Sequence, residues 1–234
     1  MCFSATASFT VSALLLPIGI YTTRLALAQN TKYLPLACIP VIFSVQQALE
    51  GLAWLGLNVD RSTAIEIGAT GFLLFAYWFW PFWAPLSLWS LEDRPWAKRV
   101  FLGFTIVGGL FGAMLYLSLF SHANWLSVEV VNHSIAYHVT SLYDGFLPRD
   151  VTRFIYLQIV ILPFLLSVVR ELKIFGGLIV LSVIFTYEVF NYAFVSVWCF
   201  FAAVLSLYLV YIMPRLLEIE SDSSKPTLYS SIDD

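Results

Sequence analysis

The sequence predicts an all-α membrane protein of seven transmembrane helices, with the N-terminus outside and the C-terminus in the cytoplasm. Three observations predict it. Stretches 3–23, 67–91, 100–128 and 189–214 hold no Asp, Glu, Lys or Arg, and 33–59 holds only Glu50. Charged residues make up 12% of the 234 residues, against about 25% in a soluble domain, and the mean hydropathy is +0.83. Lys and Arg also fall unevenly on alternate connections, as they do when a chain is threaded through a bilayer.

A membrane-spanning helix needs about 20 mostly apolar residues. That length divides the chain into spans 5–27, 33–57, 63–90, 98–120, 151–169, 172–192 and 194–214. The first has no basic segment ahead of it and is long enough to cross, so it reads as a retained helix, not a cleaved signal. The third carries Pro81 and Pro85 and is expected to tilt or kink. The fourth carries Gly108-x-x-x-Gly112, a pattern that lets two helices approach closely. The sixth and seventh join almost without a loop, yet the run from 172 to 214 is long enough for two crossings. Threaded this way, Arg24, Lys32, Arg94, Lys98, Arg99, Arg170, Lys173, Arg215 and Lys225 share one side. Only Arg61, Arg149 and Arg153 share the other. The richer side is cytoplasmic.

Two segments stand outside the spans. The outer loop 121–150 contains Trp125-Leu-Ser-Val-Glu-Val and Ile135-Ala-Tyr-His-Val-Thr around Asn132 and His133. It reads as a small β-hairpin turning there, with a lipid-facing surface helix as the competitor. The tail 216–234 is rich in Ser, Asp and Glu and is expected to be disordered, leaving 1–215 as the transmembrane domain. With no basic patch, nucleic acid is excluded as a partner. The expected partners are the lipid bilayer, a small polar ligand or cation, and a protein that meets the cytoplasmic tail.

Ionisable groups inside spans are costly and mark sites by default. Glu50 shares a helical face with Gln46 and Trp54, and Gln47 lies three residues before it. Glu188 has Asn191 and Tyr192 at the same spacings, and Glu66 opens the third span. At 1.5 Å per residue, Glu50, Glu188 and Glu66 sit about 10, 6 and 5 Å from the outer ends of their helices. All three carboxylates belong to the outer half, and Glu50 and Glu188 are expected to face one outward-opening cavity. His122, His133 and His138 lie in the adjacent outer loop. His133, His138 and Cys2 are the candidate metal ligands, although His133 and His138 need a turn between them to converge. Cys2, Cys38 and Cys199 form no CxxC pair and no disulfide framework. No residue pattern names a cofactor. The aromatic run Tyr77-Trp-Phe-Trp-Pro-Phe-Trp83 reads either as packing around a proline kink or as a stacking wall for a ligand.

The opening Met1-Cys-Phe-Ser-Ala-Thr-Ala-Ser-Phe9 resembles the start of an uncharacterised family of bacterial seven-helix membrane proteins. Gln46-Gln47-x-x-Glu50-Gly51, Phe79-Trp80-Pro81, His133-Ser134-Ile135-x-Tyr137 and Ser196-Val-Trp198-Cys199-Phe200 extend the resemblance over most of the chain before the tail. It implies a seven-helix fold in a bacterial inner membrane and brings no activity with it. Other seven-helix classes fit poorly. Retinal proteins need a lysine in the last span, and alkaline ceramidase-like hydrolases hold zinc with helix-borne histidines; this chain has neither. Three functions remain. The first is binding or transport of a proton, cation or small polar ligand at Glu50. The second is a membrane enzyme acting on lipid, and the third is a structural or assembly subunit.

Overall fold

The computed structural model describes residues 4–121, 126–140 and 148–223. The elements are α1 (Ala5–Gln29), α2 (Leu34–Ala37), α3 (Ile39–Val59), α4 (Ser62–Leu73), α5 (Trp80–Leu91) and α6 (Pro95–Leu117). After them come strands β1 (Leu126–Val131) and β2 (Ser134–Val139), then α7 (Arg149–Leu166), α8 (Arg170–Phe190), α9 (Phe194–Leu205) and α10 (Leu207–Ser223). Five stretches are long and apolar enough to cross a membrane: Ala5–Gln29, Thr31–Val59, Ser62–Leu91, Pro95–Phe120 and Arg170–Glu218. Large apolar side chains cover their outer faces; Leu110 is 70% and Leu181 63% exposed. A soluble domain would not leave so much apolar surface bare.

Three expected spans take a different form. The segment 151–169 folds as α7, but Arg149, Asp150 and Arg153 charge its first turns, and it is not among the five apolar stretches. The sixth and seventh form one apolar stretch, Arg170–Glu218. It is broken by a 3-10 turn at Asn191–Ala193, beyond which α9 packs on α8. Helix α10 runs on to Ser223, past Arg215, because Leu216 and Leu217 still bury apolar surface. Residues 224–234 of the expected tail lie outside the described residues.

Pro35, Pro40 and Pro95 each sit in the first turn of a helix, where a missing N–H costs nothing. Between α4 and α5 the helix does not stop but widens into a π turn, Leu74–Phe79. There the Trp80 amide reaches back five residues to the Phe75 carbonyl. Pro81 has no N–H, so the Ala76 carbonyl is left without a donor on its own helix. The Tyr156 hydroxyl of α7 takes it, donating at 2.5 Å. The expected proline kink is thus a π turn tied to a neighbouring helix.

Helix α6 packs along this region. Gly108 lies on the Pro81 carbonyl, and a Cβ built on Gly112 would come within 2.7 Å of the Tyr77 carbonyl oxygen. The Gly-x-x-x-Gly pattern is therefore a backbone-to-backbone contact.

The hairpin forms where the alternation placed it, with Asn132 and His133 both in the left-handed region (φ 47° and 60°). That is the turn whose twist matches two antiparallel strands. Val131 pairs with Ser134 and Leu126 with Val139. Strand β2 buries Ser134, Ile135 and Ala136. Ile135 joins a cluster with Trp54, Ala193 and Val197, so the hairpin is packed onto one end of the helices.

At the other end, Lys32 bridges to Asp93 at 2.6 Å, joining the α1–α2 and α5–α6 connections. Glu92 is buried there and accepts from Arg94 Nε at 2.9 Å and Nη2 at 2.8 Å. The guanidinium holds the Glu92 carboxyl below its ordinary value of 4.5. A depressed carboxyl stabilises the fold above its unfolded value and loses that contribution as pH falls through the folded one. Wild type should therefore unfold at a higher temperature than Glu92→Gln by a constant margin from about pH 6 to 8. The margin should close below about pH 4. A margin that persists at acid pH would refute the pair's role.

Candidate functional site

Glu50 points into the protein from α3, on the face that also buries Gln46, Gln47, Gly51, Ala53 and Trp54. It is 1% exposed. Its Oε1 accepts from Ser196 Oγ of α9 at 2.5 Å. Its Oε2 makes no hydrogen bond among the described residues. No described Lys or Arg pairs with it. One turn earlier, Gln46 Oε1 accepts from the Trp80 indole N–H at 2.7 Å, which fixes the side chain. Trp80 stacks on Phe43, with ring centroids 4.0 Å apart. Gln46 Nε2 and both ends of the Gln47 amide are buried without hydrogen-bond partners among the described residues.

Around Glu50 stand further polar groups from distant parts of the chain. The Tyr137 hydroxyl enters from β2 and is buried without a hydrogen-bond partner among the described residues. Its ring stacks on Phe72, centroids 5.2 Å apart. Cys199 of α9, one turn beyond Ser196, is buried. Trp198 Nε1 is likewise buried without a hydrogen-bond partner among the described residues. Buried polar atoms are nearly always satisfied. Several unsatisfied ones gathered about one carboxylate are the arrangement of a site that takes a polar guest.

Beside this cluster a cleft of about 140 Å³ runs between α7, α9 and β2. Tyr77, Tyr137, Tyr156, Trp198 and Cys199 line it, and Arg149, Thr152 and Arg153 stand along α7.

The structure brings together some of the expected site residues and separates others. Glu50, Gln46 and Gln47 form the site, and Trp54 closes it toward the hairpin. Glu188 does not join them; it is exposed. Helix α8 faces inward through Leu172, Phe175, Gly176, Ile179 and Thr186, and a residue two beyond Thr186 points to the opposite side. Glu66 is exposed for the same reason, two residues before the inward Gly68. Asn191 and Tyr192 are exposed, and Asn191 Oδ1 accepts from Arg153 Nη1 at 2.7 Å.

Among the candidate metal ligands, His133 sits exposed in the turn. His138 faces outward beside Glu129, 3.9 Å away. Cys2 and His122 lie outside the described residues. Among the described residues no three His, Cys, Asp or Glu groups gather to hold a metal ion.

Sequence reasoning missed Ser196, which donates to Glu50, Trp80, which donates to Gln46, and Tyr137 and Cys199 beside them. Their signal was nevertheless present. Each belongs to one of the short segments that carried the family resemblance, and the fold draws those segments to one place. Even the N-terminal segment takes part: the Phe9 ring lies where a Cβ on Gly51 would point.

A family model described as a family of unknown function (DUF6629) matches residues 1–222, and the chain belongs to that family. No curated protein and no solved structure matches it.

Proposed function

We propose that this member of the DUF6629 family is a seven-span protein of a bacterial inner membrane. Its Glu50 site, open to the outer half of the bundle, binds or transports a proton, a cation or a small polar ligand. One observation carries the reading: a fully buried carboxylate that accepts from the neutral Ser196, with its second oxygen, Gln46 Nε2 and the Gln47 amide all without a hydrogen-bond partner among the described residues. An isolated charge is not tolerated in such surroundings. Glu50 must therefore hold a proton or share its pocket with a cation or polar molecule.

Two further grounds support seven crossings over the five apolar stretches. Arg170–Glu218, at 49 residues, is long enough for two spans. Helix α7, with 18 residues, reaches about 27 Å, close to the hydrocarbon thickness. Its charged first turn then lies at the outer interface. The hairpin, the start of α7 and the 3-10 turn after α8 cluster at one end of the molecule. The lysine- and arginine-rich connections of Lys32 and Arg94 meet at the other. On the charge rule the hairpin end is outside.

A tag inserted after Asn132 should be accessible to an impermeant reagent in intact cells, and a reporter fused after Asp234 should be cytoplasmic. Protection of the Asn132 tag would overturn the orientation. For the ligand, purified protein should be unfolded by heat from pH 5 to 8 at constant ionic strength, with sodium, potassium, calcium or none. Binding at 100 times Kd stabilises by about 2.7 kcal/mol, so a clear rise in midpoint with acid or with one cation is expected. A midpoint indifferent to pH and to every cation would sink the reading.

A further inference from the structure

The cleft beside Glu50 has chemistry of its own. Arg149 and Arg153 stand four residues apart on α7, so both reach the same face, along the cleft. Arg153 donates to the neutral Asn191 at 2.7 Å. Its carboxylate neighbour, Asp150, is 3.7 Å away with its side chain 77% exposed. The guanidinium therefore keeps most of its charge for a further partner. Its ring neighbour is Phe194, 5.1 Å from the guanidinium carbon to the centroid.

The walls are aromatic: Tyr77, Tyr156, Phe194 and Trp198. Trp198 is 6% exposed, and its indole N–H makes no hydrogen bond among the described residues. A buried donor in the wall of a cleft calls for an acceptor inside it. The volume, about 140 Å³, is close to that of a cavity that holds one benzene ring, about 150 Å³.

We propose that this cleft binds an amphipathic anion. Its carboxylate or phosphate head is held by Arg153, and its body, one ring or a short chain, lies against Tyr77, Tyr156, Phe194 and Trp198. Arginine suits such a head because its fork of donors matches two anionic oxygens at once. A cation, one of the guests proposed for Glu50, is repelled by Arg153, so the cleft is a second site of opposite preference. A free organic acid and an anionic lipid whose tails remain in the bilayer present the same head, and the experiment separates them.

The full chain in uncharged detergent is unfolded by heat with benzoate, benzyl alcohol or benzylamine. Benzoate should raise the midpoint, and the other two should not. Arg153→Gln should weaken the benzoate response at least tenfold, while Arg153→Lys, which keeps the charge, should retain part of it. In a parallel arm, the protein is placed in phosphatidylcholine nanodiscs with or without phosphatidylglycerol. Stabilisation by phosphatidylglycerol but not benzoate, lost in Arg153→Gln, assigns the head to a lipid and supports the proposal. Equal stabilisation by benzylamine, a full response in a folded Arg153→Gln, or no response in either arm overturns it.

Discussion

Glu50→Gln should fold and should lose the response of the wild type to protons and cations. The amide has the shape of the carboxyl it replaces. Its oxygen can still accept from Ser196 Oγ, as Glu50 Oε1 does at 2.5 Å. Its new N–H group takes the place of Oε2, which has no hydrogen-bond partner among the described residues. The Gln47 amide oxygen in the same neighbourhood also accepts from none of them. The substitution should thus change stability by no more than about 1 kcal/mol, the net worth of one hydrogen bond. An amide neither takes up a proton near neutral pH nor carries the charge that holds a cation. The pH dependence of the midpoint that belongs to the site, and any stabilisation by a cation, should disappear together. Glu92→Gln removes the other carboxylate buried among the described residues, at the opposite end of the molecule, and should leave that response in place. If Glu50→Gln kept the wild-type pH profile and cation response, the role assigned to Glu50 would be wrong.

Gly108→Ala should be the most destabilising methyl group that can be added to α6. The new Cβ falls on the Pro81 carbonyl and its carbon, which are backbone atoms and cannot rotate away. The side chain of Ile159 closes the third direction, with Cγ2 2.9 Å from the Cβ position. The helices must separate, and forcing extra volume into a closed contact costs about 3 kcal/mol. The strain is applied beside the π turn, whose free Ala76 carbonyl depends on Tyr156 for its hydrogen bond. Gly103→Ala is the control, because its Cβ meets nothing within 4 Å. It should be neutral or stabilising by up to about 1 kcal/mol through helix propensity. The thermal midpoints of the two variants decide the matter. Equal midpoints would mean that α5 and α6 are not packed backbone to backbone.

The chain's helices and their approximate ends were legible because an apolar run of fixed length has few other uses. The π turn was legible only as a kink at Pro81, since the register in which a helix absorbs a missing N–H depends on which neighbour can satisfy the carbonyl set free. Here that neighbour is Tyr156, which lies 80 residues away along the chain. The hairpin turn was legible because alternation on both sides of Asn132 and His133 leaves only those residues to reverse the chain. What the hairpin packs on was not, because its inward side chains, Ile135 and Tyr137, are ordinary strand residues.

The sequence by itself determined the apolar helices, the hairpin and a carboxylate, Glu50, with amides on its own face. Only the tertiary structure decided which carboxylate is inside. In a soluble helix the polar stripe marks the outer face; in an apolar one the outer face is as hydrophobic as the core. Rotation about the helix axis is then set by packing. Helix α3 turns Glu50 inward because Gln46, Gln47, Gly51 and Trp54 on that face pack against other elements. Helix α8 turns Glu188 outward because Phe175, Ile179 and Thr186 hold the opposite side. The pairing of Glu50 with Ser196 was decided by the fold for a related reason. Ser196 is 146 residues away, and only folding brings its hydroxyl to the carboxylate.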